Sequence, residues 1–352
     1  MSLLIWIFRQ PSDCVLNRAQ SVLLFLPNPR SHLSTFFLFL AIVLCFSGCC
    51  TTPARQYSEV LYKAEPPLTE PVSVSPPAFY VKSGDKPYNK IGTPTVTEKN
   101  GAPLVLVSSA APTMYIEQAS FSTTKNTYTN LIYRIHFPEV PFDWCNLNIT
   151  TGTNPGLLII YTVDPMDKIV LITTVHTCGC YLAFFPTKDL AKADYPPNWP
   201  EETQSVYGYT LPAVLPSQLH TVNKPYYITL ESGTHRISDV SYTTTTPPSQ
   251  TIAPLMKIQP MENLYHLPYK DGNISFFENT GRREGYVKNN SKILERLLIS
   301  WWAFDWHVGE DKAYGKSESS TTPFYTSLKF WQRGNSDMKN FSQFLTYWRW
   351  SL

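Results

Sequence analysis

Three side chains suited to soft-metal or sulfur chemistry stand at the end of an apolar run, in the stretch VHTCGCY. If the stretch continues as a strand, His176, Cys178 and Cys180 are each two residues apart and point to the same face. Thiolates and neutral imidazole are ligands that Cu(I) and Zn(II) prefer. Gly179 permits a bend that brings such donors together. The pattern therefore predicts a copper or zinc site, with Cys145 as a fourth ligand.

The same cysteines also fit sulfur chemistry without a metal. Cys145 paired with Cys178 or Cys180 would form a structural disulfide. A Cys178–Cys180 bridge would be a more easily reduced bond, suited to redox chemistry. A nucleophilic cysteine would need a base, for which His176 and His136 are the candidates. The remaining alternative is that the cysteines are buried thiols that only pack.

A second group of ionisable residues lies in the stretch WWAFDWHVGED. On a helix that continues through it, Asp305 shares the apolar face with Trp301. A carboxylate there must be paired, hydrogen-bonded or protonated. We expect an arginine partner, Arg282 or Arg283. The alternative is a metal or acid–base site built on Asp305 and His307.

The N-terminal part of the sequence is typical of a targeting segment. An uninterrupted apolar run from Phe36 to Phe46 is too short to span a bilayer and fits the core of a signal peptide. It ends in Phe46-Ser47-Gly48-Cys49, which resembles the lipobox of bacterial lipoproteins. The resemblance implies lipidation at Cys49 and a membrane-anchored protein of the bacterial cell envelope, facing the periplasm. It leaves open which membrane holds the anchor, and an unlipidated anchor or ordinary secretion are the alternatives.

Composition and periodicity predict the fold class. Thirty prolines and 14% aromatic residues favour strands joined by long loops. In LIYRIHF, apolar residues alternate with Arg134 and His136, as in a half-buried strand. The segment 156–175 predicts a hairpin in the middle of a sheet, and 225–231 and 235–242 predict further strands. We expect an α+β protein with a β-rich body, mostly antiparallel sheet or sandwich, and tryptophan-rich C-terminal helices packed on it.

Two proline-poor stretches predict those helices. The first begins with Ser291 as its N-cap and ends at Gly309. The second begins at Ser336 and has an apolar i, i+3, i+4, i+7 pattern from Phe341 to Trp348. Because both are rich in tryptophan, we expect both to be buried against the sheet.

The domain organisation follows from shifts in composition. Residues after Cys49 are rich in proline, threonine, serine and lysine, a composition that predicts a tether. Within it, Ala78-Phe79-Tyr80-Val81 is a candidate edge strand. The expected parts are a targeting segment, 1–48; a lipid-anchored tether, 49–101; a β-rich body, 102–250; and a C-terminal region, 251–352, with helices at about 291–309 and 336–350.

Charge and motifs narrow the function. A net charge of +2 without a basic run disfavours nucleic-acid binding. Phosphate loops and the HExxH and GxSxG motifs do not occur in the sequence. The favoured expectation is an exported envelope lipoprotein with a non-enzymatic binding, assembly or structural role at a membrane surface, with protein partners in the envelope. The alternative is a copper, zinc or thiol-redox protein centred on His176, Cys178 and Cys180.

Overall fold

The computed structural model describes residues 58–65, 74–143, 148–218, 224–242, 250–315 and 320–352. The targeting segment with Cys49, and Cys145, lie outside these residues, so the expectations that rest on them stay predictions. None of the helices in the described ranges has the length and apolar character needed to cross a membrane.

The described strands and helices are numbered along the chain. The strands are β1 Glu59–Tyr62, β2 Ala78–Lys82, β3 Thr93–Lys99, β4 Ala102–Ser108, β5 Thr113–Ser122, β6 Thr127–His136, β7 Glu139–Val140, β8 Gly152–Thr153, β9 Gly156–Val163, β10 Ile169–His176, β11 Ala183–Pro186, β12 Thr203–Val206, β13 Tyr209–Pro212, β14 Tyr227–Leu230, β15 Ile237–Ser241, β16 Gln250–Ile252, β17 Lys257–Pro260, β18 Leu267–Tyr269 and β19 Gly272–Ile274. The helices are α1 Ile293–Ala303 and α2 Phe341–Tyr347.

Two larger sheets form the body. One has the strand order β15-β14-β2-β1-β16 and the other β11-β10-β9-β6-β5-β17. Most neighbouring strands are antiparallel; the pairs β1–β16, β2–β14 and β5–β17 are parallel. The short pairs β3–β4, β7–β8, β12–β13 and β18–β19 complete the described sheet structure. The predicted fold class, α+β with a mostly antiparallel β-rich body, is confirmed.

The hairpin predicted over 156–175 is present as β9 and β10, and its turn is closed by the Asp164 side chain. That carboxylate accepts hydrogen bonds from the backbone N–H groups of Met166 and Lys168, at 2.9 Å each. Every residue of both strands is buried, because each face of the sheet contacts a separate hydrophobic core. One core lies between the two sheets, and the other lies under the C-terminal region.

The segment expected to be a tether is folded where the structure describes it. β1 and β2 belong to the five-stranded sheet, and β3 pairs with β4. The expectation of an edge strand at 78–81 was wrong, because β2 lies between β1 and β14. Phe79 and Val81 are fully buried between the two sheets. The burial of these side chains offsets the conformational entropy that the segment loses when it becomes ordered.

The strand predicted at 131–137 is present within β6, but the expectation that it is half-buried was wrong. Arg134 and His136 are fully buried, and the Arg134 Nε donates to His136 Nε2 at 2.9 Å. Phe276 and Phe277 of the C-terminal region lie over these side chains. Alternation of polar and apolar residues thus reflects two different buried environments here.

Helix α2 packs on the sheet as expected. Its N-cap is Asn340, whose side chain accepts from the Gln343 N–H at 3.3 Å, so it starts later than Ser336. Phe341 lies against Phe121 of β5, and Phe344 lies against Phe184 of β11.

Helix α1 departs from the prediction in length and in burial. Lys292 rather than Ser291 occupies the N-cap, and Phe304, with φ of 52°, ends the helix well before Gly309. The expectation that α1 is buried was wrong, because one of its faces is exposed to solvent. We name the exposed set the aromatic patch: Ile293, Leu297, Leu298, Trp301, Phe304, Trp306, Phe330 and Trp331, each more than half exposed.

Candidate functional site

The cysteines lie in a tight turn that follows β10. Cys178 and Cys180 are joined by a disulfide, with their Cα atoms 5.6 Å apart. The His176 N–H donates to the Cys180 carbonyl at 2.9 Å, and the Gly179 N–H donates to the His176 carbonyl at 2.7 Å. The three side chains therefore do not share one face of a strand, as the sequence interpretation assumed, because the strand ends at His176.

Gly179 is the residue that permits this turn. Its φ is +88°, a conformation that side chains with a Cβ disfavour. A Cβ placed there would lie 2.1 Å from the backbone carbonyl oxygen of Tyr325. The turn is therefore packed directly against the backbone of the C-terminal region.

The structure does not assemble the predicted metal site. Sulfur atoms bonded to each other are not thiolate ligands, and among the described residues no three His, Cys, Asp or Glu side chains converge to hold a metal. His176 instead places its Nε2 3.1 Å from the His235 carbonyl oxygen. Burial, followed by the charge of Lys292, lowers the pKa of His176 to about 3. A neutral imidazole of this kind is a poor base for a nearby thiol.

The side chain of Lys312 lies against the turn. Its Nζ donates to the Cys178 carbonyl at 3.1 Å and lies 4.5 Å from the centre of the Tyr325 ring. The residue is 1% exposed. Burial lowers the pKa of Lys312 to about 8, against the attraction of Asp305 and Asp311. A buried cation with a lowered pKa is a feature that clusters at functional sites.

Asp311 connects the turn to a second buried lysine. Its carboxylate accepts hydrogen bonds from the Thr177 hydroxyl and, at 2.8 Å, from the Asn290 amide. It also lies 3.0 Å from the Lys292 ammonium group, and both side chains are almost fully buried. Burial disfavours the charge of Lys292, but Asp311 and Glu295 outweigh it and raise the Lys292 pKa. Lys292 therefore stays protonated across physiological pH.

Among the buried charged residues near Asp311, Glu295 is the acid whose pKa is raised. It is 6% exposed, and its Oε2 has no hydrogen-bond partner in the described part of the chain. Burial is the largest cause that raises the pKa of Glu295, opposed by the charges of Lys292 and Lys312. Arg236 completes the surroundings by donating to the Tyr181 hydroxyl next to Cys180. The turn is therefore contacted by Lys312, Asp311 and Arg236, and Asp311 connects it to the buried Lys292.

The lowered pKa of Lys312 predicts how the free energy of unfolding depends on pH. The unfolded chain binds a proton at this lysine up to about pH 10.5, whereas the folded chain releases it near pH 8, so the free energy of unfolding should rise from about pH 8 to pH 10. We expect a rise of about 1 kcal/mol per pH unit, measured by urea unfolding. Above pH 10, buried tyrosines with raised pKa values, such as Tyr133 and Tyr314, reverse the trend.

A matched pair of variants tests this assignment. Lys312→Met should remove the rise, while Lys86→Met, at a largely exposed lysine, should retain it. A slope that persists in Lys312→Met would assign the titration to another group.

The Asp305 and His307 pair is arranged differently from the prediction. Because α1 ends at Ala303, Asp305 lies beyond the helix and is half-buried. Its carboxylate accepts from the Tyr325 hydroxyl, not from an arginine. Of the expected partners, Arg283 instead pairs with Glu310, which is also 3.3 Å from the His307 Nδ1.

Sequence reasoning missed the buried charges that surround the disulfide. A signal for some of them was present, because three charged residues, Glu310, Asp311 and Lys312, follow each other between apolar neighbours. A charged run is most often exposed, but all three are at most 1% exposed. Lys292 and Glu295 carried no such signal, since they start a helix whose N-terminal turn resembles a solvated one.

The turn thus combines a disulfide, a partly exposed cysteine and a set of buried charges from the C-terminal region. Its function has to be inferred from this chemistry. No protein-family model matches the chain, and no curated protein or solved structure shows a significant similarity to it.

Proposed function

We propose that this protein carries a reversible thiol–disulfide redox centre at Cys178 and Cys180. The observation that carries the proposal is a disulfide between residues two apart, on a tight turn, with Cys180 partly accessible. A disulfide stabilises a fold mainly by closing a loop. The chain-entropy relation gives about 1.6 kcal/mol for a three-residue loop, against about 3 kcal/mol for fifteen residues. As a structural bond it would contribute little.

The cations at the turn favour the reduced form. Reduction converts the disulfide into thiols, and neighbouring cations stabilise the thiolate. Lys312 is hydrogen-bonded to the Cys178 carbonyl, and Arg236 is held at Tyr181, which follows Cys180. Stabilisation of the reduced form makes a disulfide a stronger oxidant.

The reaction is a two-step exchange with an external dithiol. A thiolate of that dithiol attacks the sulfur of Cys180, a partly exposed residue, the Cys178–Cys180 bond breaks, and Cys178, whose backbone carbonyl Lys312 contacts, leaves as a thiolate. The second thiolate of the dithiol then attacks the first sulfur of the dithiol in the mixed disulfide, and Cys180 leaves as a thiolate. Two electrons pass to the protein, the dithiol becomes a disulfide, and the protein thiolates take up the protons that the dithiol lost.

We further propose that this centre belongs to an exported lipoprotein. The support is the apolar run that ends in the lipobox-like Phe46-Ser47-Gly48-Cys49. An envelope compartment outside the cytoplasm is oxidising, which maintains exposed disulfides. An exported redox protein is thereby held at a membrane through Cys49.

The test is a redox titration of the full chain. The protein is equilibrated in glutathione or dithiothreitol buffers, free thiols are trapped by alkylation, and the peptide containing Cys178 and Cys180 is quantified by mass spectrometry. The two cysteines must be quantified in their own peptide, because the chain has seven cysteines that would all contribute to a total thiol count. We expect a reduction potential above about −300 mV, the value below which structural disulfides generally lie. A potential below that value would overturn the proposal.

A pair of lysine variants tests the role assigned to the charges. Lys312→Met should lower the reduction potential by tens of millivolts. Each 1.4 kcal/mol of stabilisation that the reduced form loses lowers the potential by about 30 mV. Lys86→Met, on an exposed loop, should leave it unchanged. Equal potentials in all three proteins would show that Lys312 does not stabilise the reduced form.

A binding role at a membrane surface is a second proposal. The observation that favours it is the aromatic patch, which is independent of the disulfide.

A further inference from the structure

The aromatic patch is a concentration of apolar side chains that is unusual for a protein surface. Within the described residues it holds eight of the thirteen large hydrophobic side chains that are exposed. Ile293, Leu297, Trp301 and Phe304 are spaced so that they follow one face of α1. An exposed patch of this kind marks an interaction surface.

The patch is continuous across two segments of the chain. The ring of Phe304, at the end of α1, lies 5.1 Å from the ring of Phe330, which lies 5.0 Å from Trp331. The guanidinium group of Arg296 lies 5.3 Å from the ring of Trp306. The two segments are also joined by Arg333, which donates to the carbonyl oxygens of Ala303 and Phe304.

Basic side chains that are at least partly exposed outnumber such acidic ones beside the patch. Arg296, Lys329 and Arg333 are at least partly exposed, whereas the acidic residue within α1, Glu295, is buried. The partly exposed Asp305 accepts a hydrogen bond from the Tyr325 hydroxyl. Tryptophan and phenylalanine beside lysine and arginine are the composition of surfaces that lie in the interface of anionic bilayers.

The short length of chain between the apolar targeting run and the first described residue also favours a membrane as the partner. The apolar targeting run ends at Phe46, and the first described residue is Ser58. Twelve residues of fully extended chain span at most about 40 Å. If the run or a lipid on Cys49 enters a membrane, the folded unit starts within that distance of the bilayer surface.

We infer that the aromatic patch docks onto the surface of an anionic lipid bilayer, with the tryptophan and phenylalanine rings at the acyl-chain boundary and the basic side chains at the headgroups. This inference rests on the second proposed function, a binding role at a membrane surface, whose partner it names, and it does not depend on the redox function. Its partner is a lipid surface and not a second protein.

The experiment uses the full chain in vesicles of phosphatidylcholine and phosphatidylglycerol, with brominated acyl chains that quench nearby tryptophan fluorescence. The reference is the same vesicle without bromine. We expect the quenched fraction to fall at least about twofold in Trp301→Phe/Trp306→Phe/Trp331→Phe, which removes the reporters and retains the apolar surface. Trp350→Phe, at a buried tryptophan, is the matched control and should leave quenching at the wild-type level.

Three further outcomes decide the partner. Quenching should weaken in vesicles of phosphatidylcholine alone, because the basic residues then lack anionic headgroups. Equal quenching in the triple variant and the wild type would overturn the inference. So would a dimer, seen by sedimentation, that dissociates when Leu297 and Trp301 are replaced by serine, since the patch would then be an interface between two copies.

Discussion

Gly179→Ala is expected to destabilise the protein by about 4 kcal/mol, at the upper end of single substitutions. Two costs add at this position. The backbone φ of +88° disfavours any residue with a Cβ, and the new methyl group would lie 2.1 Å from the Tyr325 carbonyl oxygen. That oxygen belongs to the backbone, so it cannot rotate away as a flexible side chain would. The measurement is the midpoint of urea unfolding, followed by circular dichroism.

Gly101→Ala is the matched control for this prediction. Gly101 has a φ of +77°, close to that of Gly179, but no atom lies within 4 Å of its Cβ position. Its substitution should therefore cost only the backbone term, about 1 kcal/mol. Similar losses in the two variants would show that the turn can move away from Tyr325 and that the contact is not rigid.

Much of the fold was predictable because strand patterns are local. The β9–β10 hairpin was marked by two runs of apolar residues on either side of a turn, and β14 and β15 lie within the two further segments expected to be strands. The burial of Arg134 and His136 was not predictable, because it depends on Phe276 and Phe277, which are distant in the sequence and cover that face. A pattern within one strand cannot show what lies above it.

The helices illustrate the same distinction between local pattern and tertiary packing. The pattern of α2 predicted its contacts with the sheet, because Phe341 and Phe344 recur at helical spacing. In α1 the same residue types are exposed. The amphipathic pattern is present in both, but in α1 the buried positions are the charged Glu295 and the small Ser300 and Ala303. An apolar helix face thus indicates a contact surface, but it does not show whether that surface packs against the rest of the same chain.

The candidate site was predictable only in its cysteines. Their spacing and the glycine between them indicated a bend, and a Cys178–Cys180 bridge was one of the alternatives considered. The lysines and carboxylates that give the disulfide its environment come from residues more than 100 positions later. Their approach is set by the packing of the C-terminal region, which no short motif records.

The disulfide turn and the aromatic patch are linked through a few side chains. Tyr325 contacts Gly179 through its carbonyl group, and its ring lies 4.9 Å from the Arg333 guanidinium group. Arg333 in turn is bonded to the end of α1 at Phe304. Docking of the patch on a bilayer would therefore also orient the proposed redox centre relative to the membrane surface.

Asp311→Ala is the second substitution with a large expected effect, a loss of about 4 kcal/mol in the free energy of unfolding. The Lys292 ammonium group, 3.0 Å away and 2% exposed at its side chain, would lose its ion-pair partner without access to water. Thr177 and Asn290 would lose their acceptor as well. Glu201→Ala, which removes the highly exposed pair with Lys192, is the control and should leave the unfolding midpoint within error, because solvent screens such pairs.

A double variant separates the charge from the packing. In Lys292→Met/Asp311→Asn the unpaired ammonium group is gone and the amide can still accept from Thr177, so the double variant should be more stable than Asp311→Asn alone. Replacement of a buried ion pair by neutral groups of similar volume is often neutral or stabilising, whereas removal of one partner is costly. Unfolding of both single variants and the double variant gives the coupling energy, expected at about 2 kcal/mol or more. Strict additivity would mean that Lys292 and Asp311 act independently, and that the charges at the disulfide turn do not form one network.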